Sequence, residues 1–346
     1  METSKKIYIF LIIITAVVVL IYAQSIIIPF ILATLFWVTI RVIKKILSKV
    51  TFISRWPKWL LTLISSVLLL SFLIFAVEMI SANIQHISET LPVYEKNVNK
   101  ITQSINQQFD VDLMTMLNDF AKDLNFGDIL SKIFSALTSM FGNAFTVLLY
   151  LIFLLLEEPI FPKKIRAMYP DNKKYGQVNE LINKIDHSIG NYIALKTVVS
   201  LLTGFLSYFA LLFIGVDAPL FWSFLIFILN FIPTIGSLIA TIFPAIFAML
   251  QYGEFTPGIL VLAIVGAIQL IIGNLVEPRV MGNSLNISPL VVFLTLSLWG
   301  VMWGVIGMLL SVPITVILII IMSEFPGTRP FAILLSQKGN INKISE

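Results

Sequence analysis

The sequence has no cysteine, only two histidines, and few charges: Asp, Glu, Lys and Arg together make up 12% of its 346 residues. Without cysteine there are no disulfides, no thiol catalysis and no cysteine-based metal sites. His86 and His187 lie far apart in the chain. Glycine-rich phosphate loops, Gly-x-Ser-x-Gly elbows and His-Glu-x-x-His pairs are also missing. Soluble-enzyme chemistry and ATP-driven pumping therefore find no support, and no cofactor or metal is expected. The scarcity of charge is more telling. A soluble domain carries about a quarter charged residues. Half that density calls for a solvent other than water, and lipid is the obvious one.

Hydrophobic residues make up 58% of the chain, in long runs. No charge occurs from Ile7 to Ile40, and from Ala218 to Met322 there are only Glu254, Glu277 and Arg279. The first run is too long for the apolar core of a signal peptide and has no small-residue cleavage site after it, so it reads as mature protein. The net charge of +4 is not a nucleic-acid signal. Its basic residues border apolar runs, where they orient a chain in the membrane.

Crossing ~30 Å of hydrocarbon takes about 20 apolar residues in a helix. Ile7–Ile40 holds two short spans, broken near Gln24–Ser25 and Pro29. Further spans fall at Leu60–Val77, Ile133–Leu156, Thr197–Val216 and Phe255–Val276. Ala218–Leu250 and Pro289–Met322 are too long for one straight crossing and must tilt, break or fold back. The expected fold is thus an all-α polytopic membrane protein of about eight membrane segments. Two of these are long broken helices or re-entrant hairpins, and a small external helical region is added.

The polar stretches set the orientation. Arg41–Lys58 is basic without an acid, and Lys163–Lys196 carries seven basic residues against Asp171, Glu180 and Asp186. Glu78–Lys132 carries eight acids against four lysines. The positive-inside rule places the first two in the cytoplasm, with both termini, and the third outside. The expected organisation is N-terminal spans over 1–80 with a basic loop at 41–58, an external helical region over 81–132, and a span over 133–157. A cytoplasmic amphipathic region (158–196), a transport core (197–322) and a cytoplasmic tail (323–346) follow. In the external region Ile101, Ile105, Phe109, Leu113, Met116, Leu117 and Phe120 recur at helical spacing, suiting a cap or a subunit contact. Val42, Ile43, Ile46, Leu47 and Val50 share a face opposite lysines, as in a helix on an anionic membrane surface.

The two overlong segments resemble each other. One opens at Pro219, reaches Pro233-Thr234-Ile235-Gly236 and closes with an arm holding Pro244. The other opens at Pro289, passes Trp299-Gly300, Trp303-Gly304 and Gly307, and closes with an arm holding Pro313. Transporters are built from such repeats, with helices broken where substrate binds. Irregular backbone at that depth must be buried in protein or line a cavity. Each overlong segment with the span before it makes one unit of an inverted repeat, if both fold back. Kinked full crossings remain the alternative.

Few polar side chains occupy this half, and each is costly unless paired or wetted. Asn230, Pro233, Thr234 and Gly236 lie at the first break, Gly304 and Gly307 at the second. Gln269, Gly273 and Glu277 stack by fours on one helical face, with Asn274 and Arg279 nearby. Glu277 is either a titratable or cation-pairing carboxylate, with the amides as neutral ligands, or a structural partner of Arg279 at the membrane edge.

Asn230-Phe231-Ile232-Pro233-Thr234-Ile235-Gly236, Glu277-Pro278-Arg279-Val280-Met281-Gly282, Ser288-Pro289-Leu290 and Gly304 to Pro313 together resemble the signatures of the autoinducer-2 exporter family. The departures are Ser288, where the family often has His, and Thr234, where an aromatic is frequent. The resemblance implies a permease of the bacterial inner membrane with about eight membrane segments. Some relatives are linked to export of autoinducer-2, others to sodium/proton antiport. The expected function is a secondary transporter of a small polar solute, with sodium or proton as coupling ion. Its partners are membrane lipid and further copies of itself in a homo-oligomer, with no nucleic acid. A non-transporting membrane scaffold and a channel are the other classes the residues allow.

Overall fold

The computed structural model describes residues 2–109, 144–281 and 286–339. Helices account for most of them: α1 (Glu2–Tyr22), α2 (Gln24–Leu47), α3 (Lys58–Phe109), α4 (Ala144–Glu157), α5 (Phe161–Met168) and α6 (Asn172–Ile214). They continue with α7 (Pro219–Leu229), α8 (Ile235–Tyr252), α9 (Phe255–Met281), α10 (Pro289–Glu324) and α11 (Arg329–Leu335). Among the described residues six helices are long and apolar enough to cross a membrane, or seven if the α4–α5 pair, bent by 66°, counts as one span. The chain is an all-α, multi-pass membrane protein.

Several helices outrun the apolar runs that mark them. The run at Leu60–Val77 is the first part of α3, which has 52 residues and carries on through Ile101, Ile105 and Phe109. Leu113, Met116, Leu117 and Phe120 lie outside the described residues, as do 133–143 of the span at Ile133–Leu156. The amphipathic stretch before Lys196 and the span after it are one helix, α6, of 43 residues. Residues 41–47 extend α2, so no separate surface helix forms there, and turns fill most of 48–57. Helix propagation adds a hydrogen bond per residue without regard to the membrane boundary, so a polar continuation without a breaker stays helical.

By their contacts the described residues form two compact units, with the chain passing between them inside α3 and α6. One comprises 2–69, 144–191 and 286–339; the other comprises 70–109 and 192–281.

In the first unit α2 packs along α4, with Phe30 edge-on to Tyr150. Arg41 ties three elements together. Its guanidinium donates to Asp186 at 2.6 Å, lies 3.6 Å from Glu158, and covers the Trp37 ring at 4.9 Å. The Trp37 indole also donates to Glu158. The break after Tyr22 interrupts the helical ladder near Leu20, whose carbonyl accepts the indole N–H of Trp303 at 3.0 Å. That bond satisfies two groups that would otherwise be orphans in an apolar layer.

α10 in this unit is two arms joined at Gly304, whose φ of 64° and ψ of −144° suit glycine alone. In a straight helix residues eight apart are about 12 Å apart. A Cβ on Gly307 would instead stand 1.9 Å from the Trp299 carbonyl oxygen, so the chain reverses at Gly304. Asn286 and Ser288, before the first arm, hydrogen-bond to Gln337 and Leu335, past the end of the second.

The second unit contains the other reversal. α7 and α8 pack against each other, with Trp222 5.0 Å from Phe247 across the hairpin. At its base Gln251 accepts from the Asp217 amide and donates to the Gly215 carbonyl, while the Tyr252 hydroxyl donates to the same carbonyl. At its tip a Cβ on Gly236 would stand 1.8 Å from the Leu229 carbonyl oxygen. Both overlong segments therefore fold back, and in both the reversal brings a glycine onto a carbonyl of the incoming arm.

α9 runs back along α8, with Gly258 against Met249 and Gly266 against Thr241. Near its end it loosens into a π-helical turn, Ile272–Val276.

Candidate functional site

The hairpin tip and the π turn come together through α6. Asn230, where α7 ends, donates to the Ser200 hydroxyl at 3.0 Å, and both side chains are buried. Glu277, just past the π turn, accepts from Lys196 at 2.5 Å. Lys196 and Ser200 are four residues apart, hence neighbours on one face of α6. Two interruptions of helical backbone thus meet within one helical turn, about 6 Å along α6.

Each interruption has a local cause. After Leu229 the chain reaches Pro233, which lacks an N–H to continue the ladder. Thr234 then takes φ 59° and ψ −58°. The Ile235 N–H bonds back to the Pro233 carbonyl at 2.6 Å, closing a γ-turn of the rare, strained, positive-φ form. A β-branched residue in that conformation is held there by its surroundings, and such strain gathers at functional positions. In α9 the i→i+5 bonding takes up one extra residue. Gln269 and Glu277, eight residues apart, then come within about 20° of one face instead of about 80° in a regular helix.

The ion pair is asymmetric. The Lys196 side chain is 5% exposed and that of Glu277 23%. A buried ammonium is expensive unless paired, and Glu277 provides the pairing while its own side chain stays partly exposed. Tyr192, also buried, precedes Lys196 by four residues. Ser200, Thr203 and Ser207 continue the same face of α6, and all three are fully buried.

Of the residues singled out from sequence, Asn230 and Glu277 join this layer. Pro233, Thr234 and Gly236 form the tip beside it. Gln269 is 9% exposed, and its Nε2 has no hydrogen-bond partner among the described residues. Asn274 and Arg279 are exposed, as is Gly273 of the expected Gln269-Gly273-Glu277 face. Glu277 pairs with Lys196, not with Arg279, because the partner comes from α6 rather than from the next residues of α9. Gly304 and Gly307 belong to the hairpin of the other compact unit. Lys196, Ser200, Thr203 and Ser207 were not picked out as site residues. Their i, i+4, i+7, i+11 spacing was readable, but Lys196 passes for the last member of a basic cytoplasmic stretch.

The chain matches a family model described as AI-2E family transporter over residues 8–327. It is 32% identical over 321 residues to the AI-2 transport protein TqsA of Escherichia coli K12, covering 91% of this chain and 90% of that protein. A putative transport protein of Haemophilus influenzae is 32% identical over 90% of each chain. A sodium-lithium/proton antiporter of Halobacillus andaensis is 27% identical over 66% of this chain and 67% of its own length.

Proposed function

The chain belongs to the AI-2E transporter family, and from that premise we propose that it is a secondary transporter exporting a small, hydroxyl-rich signal of the autoinducer-2 kind across the bacterial inner membrane. The observation that carries this reading is the meeting of the strained tip at Thr234, the π turn and the buried Lys196–Glu277 pair in one polar layer. Broken helices expose carbonyls and amides that bind polar solutes without fixed charge. Asn230, Gln269 and Glu277 contribute amide and carboxylate groups around the tip, with Pro233, Thr234 and Gly236 shaping it. Gly304 and Gly307 play the corresponding role at the second hairpin, and Asn274 and Arg279 flank the route. On the same reading both termini face the cytoplasm, which the basic stretches at 41–58 and 163–196 favour.

The test is a screen of hydroxyl-rich solutes on the purified protein in liposomes under imposed sodium and proton gradients. Gradient-dependent flux that Glu277→Gln reduces supports the reading. A folded protein that moves none of them under any gradient refutes it.

The Lys196–Glu277 pair also favours a second reading, sodium or lithium exchange for protons, the activity named for the Halobacillus relative. A cation arriving at Glu277 competes with the Lys196 ammonium for the carboxylate. In that case Lys196→Met changes the sodium concentration at which exchange is half-maximal. An unchanged sodium dependence in that variant counts against it.

A further inference from the structure

The end of α4 is set by its sequence. Glu157 and Glu158 follow an apolar run, and Pro159 has no N–H to continue the ladder. The chain bends by 66° and restarts as α5, with Pro162 in its first turn and Pro170 just past its end. α5 carries Lys163, Lys164 and Arg166 within eight residues, too much charge to re-enter hydrocarbon. Its apolar residues Phe161, Ile165 and Met168, at i, i+4 and i+7, fall within about 60° of one another around the helix. Lys163 and Arg166 occupy the opposite side. The apolar face is largely uncovered among the described residues: Phe161 is 45% exposed and Met168 67%. Lys164 pairs with Glu157, and the Arg166 guanidinium lies over the Tyr175 ring at 5.4 Å. Neither Lys163 nor Arg166 has an acidic partner among the described residues.

A second basic stretch leaves the same end of this unit. Phe30 meets Tyr150 and Trp37 meets Glu158, so α2 and α4 run parallel and emerge together. Lys44 then donates to the Thr62 hydroxyl at 2.8 Å, which keeps the start of α3 at this end too. The turn between α2 and α3 carries Lys49 and Arg55, both exposed, with Phe52 edge-on to Trp56 at 6.2 Å. Phe52 and Trp59 are exposed as well. Bare indoles beside basic side chains mark a membrane–water boundary.

We propose that α5 is an amphipathic anchor in the headgroup layer, and that with the turn at 48–59 it binds anionic phospholipid headgroups. Phe161 and Met168 enter the edge of the acyl layer, while Lys163, Arg166 and Lys49 meet the phosphates. Continuity with α4 favours lipid over a protein partner, because only three residues separate α5 from that apolar helix. The inference rests on the chain being a membrane protein and not on which solute it carries.

The chain has no cysteine of its own, so single dyes report on single positions. Phe161→Cys, Met168→Cys and Lys163→Cys are made singly in the full chain; all three positions are exposed, so none threatens the fold. Each labelled protein is reconstituted in vesicles of phosphatidylcholine with phosphatidylglycerol. The aqueous quencher acrylamide is expected to act several-fold faster on the dye at 163 than on those at 161 and 168. Spin-labelled lipid then reads the headgroup preference. At equal mole fraction, labelled phosphatidylglycerol should quench the dye at 161 more strongly than labelled phosphatidylcholine, and high salt should shrink the excess. Each cation at an anionic surface is worth about fivefold in local lipid, so Lys163→Gln/Arg166→Gln on the same labelled background should cut the preference about twentyfold. Acrylamide quenching as fast at 161 and 168 as at 163 overturns the anchor. Equal quenching by the two lipids, or a preference that survives the double substitution, overturns headgroup binding by α5.

Discussion

Removing the charge of Glu277 gives the sharpest energetic test of the polar layer. In Glu277→Gln the Lys196 ammonium, 5% exposed, loses its acid partner, and breaking a buried pair from one side costs about 3–5 kcal/mol. In Lys196→Met the group left behind is Glu277, which at 23% exposure is less enclosed than the lysine. Its loss should be smaller, about 1–3 kcal/mol. In the double variant neither charge remains, and exchanging a buried pair for uncharged residues is close to neutral, within about 1 kcal/mol of the parent. The expected order of stability is parent and double variant first, then Lys196→Met, then Glu277→Gln, with a coupling energy of roughly 4–8 kcal/mol in magnitude, the sum of the two single losses. Unfolding in mixed lipid–detergent micelles, followed by tryptophan fluorescence, measures all four proteins. Two results refute the reasoning: a Glu277→Gln protein no less stable than Lys196→Met, or single losses that simply add in the double variant. Either means that the pair does not hold Lys196 in a water-poor site.

The hairpin tips make a second prediction. Gly236→Ala and Gly307→Ala each put a methyl group under 2 Å from a backbone carbonyl oxygen, at 1.8 and 1.9 Å, and should cost more than about 3 kcal/mol or prevent folding. Gly273→Ala, with nothing within 4 Å of its Cβ, should be tolerated in the same thermal assay. Equal behaviour of the three would mean that the chain does not reverse at the two tips. A third concerns the α1–α2 break. Trp303→Phe keeps most of the ring but removes the donor to the Leu20 carbonyl, which should lower stability by about 1–2 kcal/mol, and an unchanged midpoint would show that Leu20 is satisfied another way.

Composition and hydropathy alone settled the solvent. Runs such as Ile7–Ile40 bury their backbone in lipid only as helices, and that constraint does not depend on partners. The two reversals were readable in part, since Pro233 with Gly236 and Gly304 with Gly307 are residues that end or bend helices wherever they occur. Whether those breaks meant a kink or a return rested on contacts across the hairpins, such as Trp222 with Phe247 and Gln251 with Asp217, between residues 25 and 34 positions apart. Glu277 stood out in the sequence because a carboxylate deep in an apolar half is rare. Its partner did not, because Lys196 is 81 positions away and borders a polar stretch. Local sequence sets what one helix can do; the π turn in α9 and the register of α6 against α7 set which side chains share a layer. Only packing brings a lysine from the edge of one segment into the interior beside the acid of another.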